Sequence, residues 1–134
     1  MPRRMTQTIA RITLLVPDYD AGIAFFVDRL GFRLIEDSWL TDAKRWVVVA
    51  PPGASETALL LAKATAPDQS AAIGRQAGGR VFLFLHTDDF DRDHAAMLAR
   101  GVTFLEAPRL ESYGKVAVFE DPFGNRWDLI ESAR

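Results

Sequence analysis

The sequence contains few side chains that could carry out metal or acid–base chemistry. Its 134 residues include two histidines, His86 and His94, and no Cys. A chain without Cys has no thiolate nucleophile, no thiol redox centre, no zinc–thiolate site and no disulfide scaffold. Two imidazoles also exclude a site built on several histidines within one chain.

His86 is the better placed of the two imidazoles. It ends an apolar run, directly before Thr87-Asp88-Asp89. Imidazole is the side chain that changes charge near neutral pH, so this residue could serve as a general base or hydrogen-bond donor at the rim of a pocket. The alternative is a solvated histidine at the end of a strand. His94 shares a helix-like stripe with Phe90 and Met97, which favours packing over chemistry.

Two aromatic residues are further candidates for ligand contact. Tyr113 precedes a strand-like segment and could close the mouth of a pocket, with its hydroxyl as a donor; the alternative is a loop anchor. Trp46 could stack on an aromatic ligand, although large aromatic side chains usually pack in a core. Strand alternation leaves open whether Trp46 or Arg45 faces the pocket.

Charge and hydropathy exclude several classes of partner. The formal net charge is −2 and the charges are scattered along the chain, which argues against a nucleic-acid groove or binding to an anionic membrane surface. The apolar runs fall well short of the ~18 residues that span a bilayer. Arg3 and Arg4 precede an apolar run that is too short for a secretory signal. We therefore expect a cytoplasmic protein.

An internal repeat supplies the elements that position these residues. Asp18-Tyr19-Asp20 and Asp89-Phe90-Asp91 each follow an apolar run. Each also precedes a helix-like segment that ends at a glycine, Gly31 in one copy and Gly101 in the other. The predicted N-caps are Asp20 in the first copy and a residue near Asp91 in the second, and the glycines suit the helix C-termini.

Each copy of the repeat predicts one strand, one helix and three further strands. The strands are predicted near residues 10–16, 32–39, 45–50 and 57–62, and again near 80–87, 102–107, 115–120 and 126–131. These patterns predict a single α+β domain over residues 1–134, with module one at about 8–62, a linker with a short helical turn at 63–79, and module two at about 80–131. Two βαβββ modules would form a curved, incompletely closed, antiparallel-rich barrel with its helices outside. One face of this sheet would line a concavity.

Two parts of the sequence resemble a known superfamily. Ile12–Asp18, Phe25-Phe26 and Leu30–Phe32 are similar to the opening of vicinal-oxygen-chelate proteins, and Glu120–Leu129 with its Asp-Pro-x-Gly-Asn turn is similar to their usual end. This superfamily includes glyoxalase I, extradiol dioxygenases, fosfomycin-resistance enzymes and bleomycin-binding proteins. The resemblance covers about residues 8–131. It implies the glyoxalase/bleomycin-resistance fold but specifies no single activity.

The resemblance also implies where a divalent metal would be held. The superfamily's enzymes use four side chains, two from the first and fourth strands of each module, and these positions correspond here to Arg11, Phe82, Asp128 and a residue near Leu60. Arg is protonated, and Leu and Phe have no donor atom. One carboxylate alone does not hold a catalytic transition metal. We therefore expect neither a metal nor another cofactor.

The alternative is a glyoxalase-like or dioxygenase-like metalloenzyme with an atypical metal site. Glu56, His86 and Glu131 would be the next donors to consider if the assigned positions are shifted. Whether the protein is an enzyme at all is left open. If it is one, a glyoxalase I-like lyase or isomerase, or a dioxygenase-like activity, is expected.

Strand alternation predicts which residues face the pocket. If Ile12, Leu14 and Val16 pack beneath the helices, the opposite face carries a mixed set of aromatic and polar side chains. The predicted ligand contacts are Arg11, Thr13, Phe82, Phe84, His86, Tyr113, Asp128 and Trp46. The guanidinium of Arg11 could bind a ligand carboxylate or phosphate. It could equally pair with Asp128, within one chain or across a dimer, since the resemblance implies that these two positions converge.

The sequence therefore predicts a small-molecule-binding protein that lacks the usual metal. The expected ligand is organic and anionic or aromatic, and a homodimer is expected because two half-barrels leave strand edges and apolar faces uncovered.

Overall fold

The computed structural model describes residues 5–133. Its strands are β1 Arg11–Val16, β2 Arg33–Trp39, β3 Arg45–Ala50, β4 Ala58–Lys63, β5 Val81–His86, β6 Thr103–Phe104, β7 Arg109–Glu111, β8 Gly114–Glu120 and β9 Arg126–Ser132. Its helices are α1 Tyr19–Ile23, which continues as a π-helical segment Ala24–Arg29, α2 Pro67–Ala72 and α3 Phe90–Ala99. No helix between residues 5 and 133 is long and apolar enough to cross a membrane.

The strands form two sheets, one for each module. The first sheet has the order β1-β4-β3-β2, and the second has the order β5-β9-β8-β6 with β7 added beside β8. In each sheet the first and last strands of the module pair in parallel, and the other pairs are antiparallel. The predicted α+β fold of two βαβββ modules is confirmed, and no closed barrel forms from the described strands.

The second module departs from the predicted pattern at its second strand. The single strand expected near 102–107 is divided into β6 and β7. Glu106 is the reason, since its carboxylate Oε2 accepts a hydrogen bond from the Val118 amide at 3.0 Å. The Glu106 side chain thus accepts the hydrogen bond that a backbone carbonyl of the neighbouring strand would otherwise accept from β8. The chain turns away there and rejoins β8 three residues later, at Arg109.

The helix N-caps lie two residues before Asp20 and Asp91. Asp18 caps α1 through a 3.0 Å hydrogen bond from Ala21 N to its Oδ2. Asp89 caps α3 through a 3.1 Å bond from Arg92 N to its Oδ1. Both caps have extended backbone, as N-cap residues require, whereas Asp20 already lies in the first helical turn. The prediction of Asp20 as the first cap was therefore wrong, whereas the second cap, Asp89, lies near Asp91 as predicted.

The two modules share one core. The Phe26 and Trp127 ring centroids are 5.8 Å apart, and those of Phe32 and Trp127 are 6.2 Å apart, which joins the first helix to β9 of the other module. Phe119 stacks on the same indole at 5.6 Å. Both sheets therefore turn their helix-covered faces toward this core. The opposite faces of the two sheets, called here the open face, point away from it.

The linker covers part of the exposed edge of β1. The Gln76 side chain binds β1 as a neighbouring strand would: its Oε1 accepts from Leu15 N at 2.9 Å and its Nε2 donates to the Thr13 carbonyl at 3.0 Å. Gly74 has a φ of 72° and crosses the backbone of Phe123 so closely that a side chain there would overlap the Phe123 carbonyl. The linker is thus held against both modules.

Candidate ligand-binding face

Asp128 is the buried polar residue of the open face. It lies on β9 between two apolar neighbours, because Phe84 on β5 and Val118 on β8 are its cross-strand partners. The residues on either side of it in sequence, Trp127 and Leu129, belong to the shared core. Asp128 is 8% exposed, so its carboxylate sits in a largely apolar part of the sheet.

The Asp128 carboxylate is not satisfied within the described chain. Its Oδ1 is buried and has no hydrogen-bond partner. Burial raises the pKa of the Asp128 carboxyl above its usual range; the charge of Arg109 opposes this shift and that of Glu106 adds to it. A buried carboxylate without a partner costs free energy, and such groups concentrate at functional sites. Asp128 is therefore the best-supported ligand contact on this face.

A guanidinium lies near Asp128 but is engaged by other carboxylates. Arg109 Nε binds Glu106 at 2.9 and 3.0 Å, and its Nη1 binds Glu111 at 2.7 Å. The sequence does not indicate this cluster. A Glu and an Arg three residues apart in a loop indicate little on their own, and only the departure of the chain at Glu106 brings them against β8.

Arg11 and Asp128 do not meet within the chain. Arg11 is exposed, and its Nη1 donates to the Ala10 carbonyl at 2.9 Å. The ion pairs between described residues do not include Arg11 with Asp128, since β1 and β9 belong to separate sheets. The predicted intrachain pair is therefore wrong, and a pair across a dimer stays a prediction. Thr13 is also exposed, with its carbonyl bound by Gln76.

Trp46, rather than Arg45, belongs to the open face. It is half-buried and packs with Val48 and Leu60 in a small cluster separate from the shared core. Arg45 lies on the opposite face, 5.4 Å from the Tyr19 ring centroid, and its guanidinium binds Asp37 at 2.7 Å. This ion pair lowers the pKa of Asp37 and raises that of Arg45. The sequence left open whether Trp46 or Arg45 faces the pocket, and the packing shows that Trp46 lies on the open face.

The other predicted ligand contacts lie in different parts of the structure. Phe84 is 61% exposed on the open face, beside Asp128. Phe82 is half-buried and packs against the shared core, because a register shift between Val81 and Leu83 interrupts the alternation of β5. His86 is exposed at the end of β5 and lines a cleft beside α3, and Tyr113 is exposed in the loop before β8.

Comparison with known proteins identifies the family. A model of the glyoxalase/bleomycin resistance protein/dioxygenase superfamily matches residues 8–129. The chain belongs to this superfamily. It is also 54% identical, over 95% of each chain, to an uncharacterized protein from Shewanella frigidimarina (strain NCIMB 400).

Two solved structures share the arrangement of this chain. UcmS2 superposes with a TM-score of 0.81 at 26% identity, covering 94% of this chain and 98% of its own. TnmS3, an antibiotic binding protein from Streptomyces sp. CB03234, superposes with a TM-score of 0.77 at 30% identity, covering 98% of this chain and all of its own. The paired-module fold inferred from the motifs is therefore shown.

The superfamily's metal does not fit the side chains found here. Of the four positions that the resemblance assigns, only Asp128 offers a donor atom. Among residues 5–133, no three His, Asp or Glu side chains are grouped so that they could hold a metal ion. The substitute donors also lie elsewhere: Glu131 Oε1 accepts from the Phe90 amide at 2.7 Å, and Glu56 is exposed in the loop before β4. No chemical step through a metal is derived for this chain.

Proposed function

We propose that this protein binds a small organic molecule on the open face of its second module, without a metal. The observation that carries the proposal is Asp128, a buried carboxylate with an unpartnered oxygen, next to the exposed ring of Phe84. An aromatic ligand stacked on Phe84 would cover apolar surface, and a donor group on it would satisfy the carboxylate. Binding would relieve the cost that the free protein carries there.

The antibiotic-binding function of a structural neighbour supports this proposal. TnmS3 is described as an antibiotic binding protein, and its chain superposes on nearly all of this one. We infer that the ligand here is likewise a compound of antibiotic-like size with an aromatic part. The cytoplasmic location inferred from the sequence remains part of the proposal, and fractionation of cells that express the protein would test it.

A ligand panel with a matched pair of variants tests the proposal. Wild-type protein screened against aromatic and antibiotic-like compounds should show a raised unfolding temperature with at least one of them. Phe84→Ala should weaken binding of that compound about tenfold, because the stacking surface is lost. Leu98→Ala is the control, since Leu98 is an exposed apolar residue on α3, away from the open face. No stabilisation by any compound, or equal loss in both variants, would count against the proposal.

We propose in addition that the protein is a homodimer whose partner packs against the open face beside the ligand site, without filling the cleft. This face carries exposed aromatic side chains, with Phe84 61% exposed on β5 and Tyr113 52% exposed in the loop before β8. Among the described strands, β5 pairs with β9 on one side and has no partner strand on the other. A strand of a second protomer could pair with that edge. Light scattering should give twice the 14.9 kDa chain mass. A monomer at micromolar concentration would overturn the dimer but leave ligand binding open.

A further inference from the structure

A cleft on the open face is lined by two arginines and lies next to the buried Asp128 carboxylate. Its volume is about 320 Å³, and it is lined by Gly79, Arg80, Val81, Phe84, Val118 and Arg126. Phe84 and Val118 form its apolar part, and Asp128 lies between them on the central strand. The cleft is therefore basic at Arg80 and Arg126 and apolar at Phe84 and Val118, and the buried Asp128 carboxylate adjoins its apolar part.

The basic part has two guanidinium groups available. The ion pairs between described residues include neither Arg80 nor Arg126, and both side chains are exposed. Glu120 is the cross-strand partner of Arg126, but the two side chains do not form an ion pair. A ligand carboxylate or phosphate can therefore bind these guanidinium groups without displacing a protein partner.

The surroundings of Asp128 have an excess of negative charge. Glu106, Glu111 and Asp128 are balanced by Arg109 alone, whose guanidinium is already bound by the first two. The unpartnered Oδ1 belongs to Asp128. An ammonium group would supply both the missing charge and the missing hydrogen bond, whereas a second anion would be repelled.

We propose that the ligand class is an aromatic zwitterion, with its ammonium at Asp128 and its carboxylate at Arg80 and Arg126. Arg126 and Asp128 are two residues apart on one strand, which separates their Cα atoms by about 7 Å. An aromatic ring between the two charged groups of the ligand fits this spacing and stacks on Phe84. This inference rests on the proposed function, since it names the class of ligand for the same site.

Four matched compounds test the inference by calorimetry or chemical-shift titration. 4-(Aminomethyl)benzoate carries both charges at opposite ends of one ring, 4-methylbenzylamine only the cation, 4-methylbenzoate only the anion, and 4-methylbenzyl alcohol neither. The zwitterion should bind at least about tenfold more tightly than any of the other three, because two charge-assisted hydrogen-bonding contacts form together. The affinity of the amine should exceed that of the neutral alcohol.

Three variants locate the two charged contacts. Asp128→Asn should remove the advantage of compounds with an ammonium, and Arg126→Gln should reduce the advantage of compounds with a carboxylate. Lys63→Gln is the control, since it removes one exposed positive charge at the end of β4 in the other module. All four affinities should be unchanged in that variant.

The outcomes separate this inference from the proposed function. Equal binding of the four compounds, or an unchanged preference in Asp128→Asn and Arg126→Gln, would overturn the zwitterion but leave small-molecule binding supported by the wider panel. If neither these four compounds nor any member of the panel binds, both proposals fail.

Discussion

Replacing Asp121 by Ala is expected to lower the free energy of unfolding by about 3–5 kcal/mol. Asp121 is 2% exposed, and its carboxylate accepts four hydrogen bonds. Its Oδ1 accepts from the backbone amides of Phe123 and Asn125, each at 3.0 Å. Its Oδ2 accepts from Asn125 Nδ2 at 3.0 Å and from Trp127 Nε1 at 3.1 Å. Truncation leaves these buried donors without a partner.

The effect should extend beyond the turn, because Trp127 is the residue at which the two modules meet. Its ring packs against Phe26, Phe32 and Phe119. Equilibrium urea unfolding measures the loss. Asp42→Ala is the matched control, since Asp42 is an exposed aspartate in the turn between β2 and β3 and should change stability by less than about 0.5 kcal/mol.

Asp121→Asn gives a sharper test of the same idea. The amide keeps one accepting oxygen but turns an NH₂ group toward donors that need an acceptor. We expect it to lose most of the stability that Asp121→Ala loses, although its shape is almost unchanged. A stability equal to that of the wild type would show that the hydrogen bonds of this turn contribute little.

Replacing Asp128 by Leu is expected to have the opposite effect on stability and to weaken binding of compounds with an ammonium group. The wild-type carboxylate is buried beside Phe84 and Val118 with Oδ1 unpartnered. An apolar side chain of similar size removes that cost, which predicts a gain of about 1–2 kcal/mol in unfolding free energy. Affinity for the cationic compounds should fall at least about tenfold.

The pH dependence of this gain identifies its cause. Burial raises the Asp128 pKa in the folded state above the ordinary value of 3.8. Between 3.8 and the folded-state pKa the folded chain binds more protons than the unfolded chain, so wild-type stability falls as pH rises through this window. The difference between Asp128→Leu and wild type should therefore be smallest below pH 3.8 and should increase above it.

Ligand binding by the wild type should change with pH in the opposite sense. Ionised Asp128 attracts an ammonium group, so affinity for the amine should increase as pH rises through the same window, and Asp128→Asn should lack this increase. Urea unfolding and calorimetry over a pH series provide both readouts. A variant less stable than wild type at neutral pH would show that the carboxylate has a stabilising partner after all.

Local signals in the sequence were sufficient for the fold. Alternating apolar residues, the two Asp-aromatic-Asp triplets and the glycines at 31 and 101 each act over a few neighbouring residues, and each predicted element appears in the structure. The exceptions are the first helix cap and the end of β6. Asp18 replaces the predicted cap Asp20 because the helix begins at Tyr19. β6 ends early because Glu106 binds the Val118 amide.

The same short-range patterns predicted only part of the candidate site. Strand alternation placed Asp128 and Phe84 on one face, which agrees with their positions as cross-strand partners. The prediction from strand alternation failed for Phe82, because the register shift near the start of β5 interrupts the alternation of side chains between the two faces. It also gave no indication that Gln76 would bind the edge of β1, since that contact joins residues more than sixty positions apart.

The sequence by itself determined the two-module fold and the lack of a metal donor at three of the superfamily's four positions. Both follow from residue identity and short-range pattern, which do not depend on how the modules pack. Only the tertiary structure decided that Arg11 and Asp128 lie in separate sheets and that Arg109 is engaged by Glu106 and Glu111. It also decided that one oxygen of Asp128 is left without a partner. Those outcomes depend on which distant segments come into contact, and a buried charge acquires or lacks a partner only when the chain has packed.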